Sequence, residues 1–197
     1  MKYLKKTLII DFKKIQLCQS RFNRVILSFV IFSLASLAHA SESQEQYEQH
    51  YRMAGHPLTS ANEFVVLSKH SDSSIRKRVA SNRKTPADVL LLLAKDAEAS
   101  VKISIATNLS APASVYPLLA VDSALSVRSV VARFEYVPLV ALQILAKDKD
   151  VDIRLEVARN LNISKDILNE LIKDTNDQVK AVAEQALQRI KDKEISE

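Results

Sequence analysis

Apolar and polar positions from Ile75 onward follow two superimposed rhythms. Within short windows the apolar residues fall at helical spacing, Ile75, Val79 and Ala80 in one stretch and Val89, Leu90, Leu93 and Ala94 in the next, the pattern of a helix with one buried face. Over longer distances the pattern returns every 26 residues: Ile75-Arg76 recurs as Val101-Lys102, Val127-Arg128, Ile153-Arg154 and Val179-Lys180. Self-similarity at a fixed period of this length marks a solenoid. The prediction is an all-α fold, a right-handed α-solenoid of about five to six 26-residue two-helix repeats, and no strand-like alternation competes with it. One copy buries too little apolar surface to offset the cost of ordering it, so copies must stack.

The punctuation of each copy supports a helix A, a turn and a helix B. Thr85-Pro86-Ala87-Asp88 predicts the start of helix B, with a hydroxyl cap, a proline at the first helical position and an acid near the positive end of the dipole. Pro112 and Pro138 hold the same place, and Ser164 replaces them in the fourth full copy. Asn82, Asn108 and Asn160 sit just beyond helix A, where the left-handed conformation would terminate it; Gly55 is the only glycine in the chain. Ala80, Ala106, Ala132 and Ala158 supply a small residue for close helix approach, whereas Glu184 at the fifth place predicts that stacking stops there. Gln178 to about Lys193 then reads as a longer amphipathic capping helix. Residues 51–70 form a degenerate first copy, in register through Met53-Ala54, His56, Thr59 and Phe64.

The run Val127-Arg128, Val131-Ala132, Pro138, Leu142, Leu145-Ala146 and Asp148, with Asn82, Asn108 and Asn160 in the other copies, resembles the variant leucine-rich repeats of bacteria, which are close to HEAT-like helical repeats. The resemblance covers about residues 51–190 and implies a binding scaffold. One member type carries an iron–sulfur cluster on additional cysteines, and some HEAT-like proteins bind metal through His-Glu pairs. Neither feature has its residues here, so no cofactor is expected.

The first 40 residues change the reading of the charge. Lys2, Lys5, Lys6, Lys13, Lys14, Arg21 and Arg24 form a basic leader, Val25 to Leu37 is apolar apart from two serines, and Ala38-His39-Ala40 offers small residues to a signal peptidase. The expectation is a secretory signal over 1–40 cleaved after Ala40, a polar lead-in over 41–50, and a helical-repeat domain over 51–197 located in the periplasm or secreted. The apolar run is shorter than the ~20 residues of a membrane span, so no stable span is expected after cleavage. The net charge of +5 arises in the leader: Ser41 to Glu197 carries 21 basic and 22 acidic side chains. A nucleic-acid partner therefore has no electrostatic warrant. Cys18, the only cysteine, also lies in the leader, which excludes disulfides, thiolate metal sites and a cysteine nucleophile from the mature chain.

Candidate chemistry is sparse. Arg76, Lys102, Arg128, Arg154 and Lys180 follow by six residues a second row, His70, Asp96, Asp122, Asp148 and Asp174. Such alternation in every copy predicts acids that cap helices or bridge to neighbouring cations, in preference to a groove for an anionic ligand. His50, His56 and His70 match no zinc spacing, no Gly-rich phosphate loop exists, and no Ser-His-Asp spacing suggests a triad, so no catalytic or metal residue is assigned. An unrecognised hydrolase or metal enzyme is the third and weakest reading.

Two departures from the repeat suggest binding. Leu67 to Lys95 holds seven basic and two acidic residues, and Arg78, Arg83 and Lys84 in it are candidates for an acidic partner, an anionic envelope polymer or lipid headgroups. Where other copies have asparagine, the third has Phe134-Glu135-Tyr136, and the second has Tyr116-Pro117 in helix B, a proline that must shift or kink that helix. Tyr116, Phe134 and Tyr136 are the candidate anchors for another protein; the alternative for Phe134 is that it folds inward to fill space. The leading expectation is an exported scaffold for protein–protein interaction in the bacterial envelope.

Overall fold

The computed structural model describes residues 43–196; the leader, Cys18 and the expected cleavage site after Ala40 lie outside the described residues. The chain divides into two compact units, Met1–Gln49 and His50–Glu197. In the first, residues 43–49 are helical and mostly exposed.

The second unit is helical throughout its regular elements, with no strand among the described residues. It begins inside a helix at residues 43–55 (α1). There follow α2 (Ala61–Leu67), α3 (Ser73–Ser81), α4 (Ala87–Leu93), α5 (Ala99–Ala106), a 3₁₀ turn (Ala113–Val115), α6 (Tyr116–Ala120), α7 (Leu125–Arg133), α8 (Leu139–Leu145), α9 (Val151–Arg159), α10 (Lys165–Leu171) and α11 (Asp177–Ser196). Odd-numbered elements are the A helices and even-numbered ones the B helices of successive copies. Four full copies are α3–α4, α5–α6, α7–α8 and α9–α10, and the 20-residue α11 closes them. Each A helix packs on the next, α3 on α5, α5 on α7, α7 on α9 and α9 on α11.

Ala80, Ala106, Ala132 and Ala158 are all completely buried, where a methyl lets adjacent A helices approach. Glu184, at the same place in α11, is exposed. The periodic apolar positions Ile75, Val79, Leu90 and Leu93 are buried with their counterparts Val101, Ile105, Leu119, Val127, Val131, Leu142 and Leu145, giving one core that runs through the copies.

Helix starts differ from the sequence expectation in two respects. Pro86, Pro112 and Pro138 stand at the cap, with ψ near 145°, and not at the first helical position. Their carbonyls accept the first helical bonds, from Leu90 N–H to Pro86 at 3.1 Å and from Ala141 N–H to Pro138 at 2.9 Å. The Thr85 hydroxyl does not cap α4: it is buried and donates to the Val79 carbonyl at 2.6 Å, tying the end of α3 to the turn. Ser164 does cap α10, accepting from Ile167 N–H, and Ser60 forms a reciprocal capping box with Glu63 at α2.

The second full copy shows what Pro117 does. Its helix B is a 3₁₀ turn followed by a five-residue α6, because proline lacks the N–H that would continue an α-helical ladder from the preceding turn and is tolerated only near a helix start.

Candidate functional site

The asparagines do not adopt the left-handed conformation. Asn82 and Asn160 are extended, with φ of −77° and −64°, and no described non-glycine residue has positive φ. Each instead works between copies. Asn108 Nδ2 donates to the Ala80 carbonyl at 2.8 Å and the Asn82 carbonyl at 3.1 Å, while its Oδ1 accepts from Ser110 N–H at 2.9 Å. Asn160 repeats this with Ala132, Phe134 and Asn162, and Asn82 with Ala54, His56 and Lys84. The orphan carbonyls of Ala54, Ala80 and Ala132 at the ends of α1, α3 and α7, which must be met somewhere, are met by the side chain one copy later.

The two charged rows form a second set of ties on the other edge. Arg76 Nε lies 2.6 Å from Asp96 Oδ2, Lys102 Nζ 2.6 Å from Asp122, Arg128 Nε 2.6 Å from Asp148 and Arg154 Nε 2.6 Å from Asp174. Every cation thus reaches 20 residues forward into the following copy. The three arginines also donate from Nη1 to carbonyls of their own turn, Arg76 to His70 and Ser71, Arg128 to Asp122 and Ser123, and Arg154 to Asp148. Each acid accepts a backbone N–H two residues on, from Glu98, Ala124, Asp150 and Asn176, so it holds the turn ahead of the next A helix and bridges at once. The hydrogen-bonded guanidinium of Arg76 holds the Asp96 carboxyl below the usual carboxylate range, against the opposing effect of burial, and Arg154 does the same to Asp174. Lys180, the last of the row, turns to Asp177 in its own helix.

The leading copy shows the same plan with histidines. His50 lies 26 residues before Arg76 and His70 lies 26 before Asp96, and their rings meet edge to face at 5.3 Å. His70 Nδ1 accepts from Asp72 N–H at 3.0 Å, as the aspartates do. His56 Nδ1 accepts from Leu58 N–H at 3.2 Å. Among the described residues no group of three or more His, Cys, Asp or Glu is placed to hold a metal ion.

The basic segment does not form one patch. Arg76 belongs to the ion-pair row. Arg78 is half-buried and lies over the Tyr51 ring at 4.4 Å, in space left by the missing side chain of Gly55, where a Cβ would come within 2.3 Å of Arg78 Nε. Arg83 and Lys84 are exposed in the turn before α4. Arg78 is therefore a packing residue, separated in role from the two cations with which the sequence grouped it.

The aromatic group is likewise divided. Tyr116 is 4% exposed and its hydroxyl donates to the Ala106 carbonyl at 3.4 Å; burial pushes its phenol above the ordinary tyrosine range. Phe134 is half-buried and nearly parallel to Tyr116, with ring centroids 6.4 Å apart. Tyr136 stands edge-on to Phe134 at 5.9 Å and is 68% exposed. Only Tyr136 has the exposure of a surface anchor, so Tyr116 is corrected to a core residue and Phe134 is the link between them.

One exposed residue beside Tyr136 escaped the sequence reading. Leu161 is 78% exposed and lines two adjoining shallow notches, one with Glu135, Tyr136 and Asn162, the other with Asn160, Ile163, Ala186, Arg189 and Ile190. Its signal was its place directly after Asn160: once that asparagine is held by carbonyls of the preceding copy, the next side chain faces out, as Leu109 does after Asn108.

Among the described residues no helix is long and apolar enough to cross a membrane. Comparison of the chain with protein-family models, curated proteins and solved structures finds no match.

Proposed function

We propose that the protein is an exported helical-repeat scaffold that binds another protein in the bacterial envelope, through the edge of the array formed by the turns between A and B helices. The observation that carries this reading is the pair of notches joined at Leu161, with Tyr136 on one side and Ile190 on the other. The backbone beneath is fixed by Asn160, so the two exposed side chains are presented with little ordering left to do on binding. Export rests on the leader, and kinship with variant leucine-rich or HEAT-like repeats rests on the repeated residues.

Affinity capture from the envelope fraction, with the exported chain as bait, tests the proposal. Tyr136→Ala and Leu161→Ser should each weaken capture of the same partner about tenfold or more, the usual effect of losing a central anchor, at an unchanged melting temperature. Equal capture by parent and variants would remove the site. Binding that is lost on raising salt and on Arg83→Glu with Lys84→Glu would favour the anionic-polymer reading, which these two exposed cations still support.

A further inference from the structure

The two notches that meet at Leu161 continue into a third. Arg189, which lines the notch with Ile163 and Ile190, also lines a groove between α9 and α11 with Arg159, Val182, Gln185, Gln188 and Asp192. The helices α9 and α11 pack on one another. The run therefore passes from Tyr136 on the turn edge, over Leu161 and Ile190, to a pair of arginines contributed by successive A helices. Both arginines are exposed.

The cations of the charged row each reach the following copy and arrive on a carboxylate, as Arg76, Lys102, Arg128 and Arg154 do at 2.6 Å. Arg159 and Arg189 do not. Arg159 has a long contact of 4.0 Å with Glu156 of its own helix, and Arg189 has no ion pair among the described residues. Asp192 lines the same groove, but its Oδ1 accepts from Gln188 Nε2 at 2.7 Å. Two guanidiniums brought into one groove repel each other, and an anion bound between them turns that repulsion into attraction. A carboxylate matches the planar donor fork of either one.

We infer that the run takes a segment of another protein in which two apolar side chains are followed by an aspartate or glutamate. The apolar pair sits on Tyr136, Leu161 and Ile190, and the carboxylate lies between Arg159 and Arg189. This rests on the reading that the Leu161 edge binds a protein, and adds what that protein must carry. Adjacent packed helices lie about 9 Å apart and an extended chain advances about 3.3 Å per residue, so an extended segment of about six residues spans the distance from Tyr136 to Arg189. The charge of the site suits a single acid and not a polyanion. Glu135 at one end of the run and Asp192 at the other are exposed carboxylates, which would repel a continuous line of negative charge.

The test is selection of a random peptide display library on the purified protein, on the Arg159→Gln, Arg189→Gln double variant and on Leu161→Ser. All the changed positions are exposed, and circular dichroism should show equal helicity in the three proteins. The parent should select peptides with two apolar residues and an acid on one side of them. A selected peptide, synthesised with the acid replaced by its amide, should bind the parent about tenfold or more weakly. The double variant should bind the acid and amide forms equally, and Leu161→Ser should bind neither. A pool that needs Leu161 but contains no preferred acid, or is indifferent to both arginines, would overturn the inference and leave the edge standing. A parent that selects nothing, or a pool indifferent to Leu161, would remove the edge and the inference with it. A pool without acids, together with binding of inorganic polyphosphate that the double variant loses and Leu161→Ser retains, would assign the arginines to an anionic polymer and overturn the inference equally.

Discussion

The hydroxyl of Tyr116 donates to the carbonyl of Ala106 at 3.4 Å, the acceptor that an asparagine at position 134 would take. In the neighbouring copies Asn108 and Asn160 each serve the carbonyl 28 residues back, and 28 residues back from Phe134 is Ala106. The two sequence irregularities of the middle copies are therefore one substitution: the tyrosine supplies the donor that the phenylalanine removed, and the rings stack where the amide would have lain.

Tyr116→Phe should accordingly leave the Ala106 carbonyl unmet and lower stability by about 1 kcal/mol. Adding Phe134→Asn to that variant should recover much of the loss, because the asparagine regains its usual acceptors. Urea unfolding of the two single variants and the double variant gives the coupling; strictly additive losses would show that the two positions do not share the acceptor.

Asn108 makes two donations to the preceding copy from a site that is 4% exposed. Asn108→Ala should cost about 1–3 kcal/mol for the buried carbonyls left without a donor. Asn108→Asp should cost more, since a carboxylate would face two carbonyl oxygens. Thermal denaturation orders the pair, and an aspartate variant as stable as the parent would contradict the bonding described.

Arg128 and Asp148 are each 7% exposed, and removing the cation strands a buried carboxylate. Arg128→Met should destabilise by about 3 kcal/mol or more. Lys102 makes a single contact to Asp122, without the carbonyl bonds of its arginine counterparts. Lys102→Arg should gain up to about 1 kcal/mol by adding them. Chemical denaturation measures both; a destabilised Lys102→Arg would mean that the second copy has no room for the larger head.

Acid should loosen the array through Asp96 and Asp174. Both carboxyls are held low by a hydrogen-bonded arginine, so the unfolded chain takes up protons first as the pH falls. Their contribution is fully present above the ordinary carboxylate range and is lost as pH drops through about 4 toward the lowered folded values. The melting temperature should fall between about pH 5 and pH 2, and less steeply in Arg76→Met than in the parent. Equal slopes would remove Arg76 as the cause.

What the sequence disclosed and what it withheld follow one physical division. The apolar register, the small alanines and the pairing of the charged rows were all legible, because each is a property of one position repeated at a constant interval. The asparagines were misread because a residue after a helix has a familiar local role, whereas here its partners lie 26 and 28 residues away in another copy. Thr85 was misassigned for the same reason: its acceptor, Val79, lies behind it and not in the helix ahead. Tyr116 was taken for a surface anchor because burial of a tyrosine depends on a waiting acceptor, and that acceptor became visible only when Ala106 was seen to have lost its asparagine. Leu161 was overlooked since an apolar residue in a turn has no periodic signature until the residue before it is known to be tethered.

The forward reach of each cation has a consequence for how such a chain is lengthened or shortened. A guanidinium or ammonium finds its counterion 20 residues later in whichever copy comes next, so excising or duplicating one whole 26-residue unit leaves every charge with a mate. Gene-level slippage by one period is thus electrostatically silent at most junctions. It is not silent between the second and third copies, where Tyr116 of one completes what Phe134 of the other lacks. Loss of the second unit alone would place Phe134 after Ala80, whose carbonyl now accepts from Asn108, and leave that carbonyl without its donor at a cost of about 1 kcal/mol.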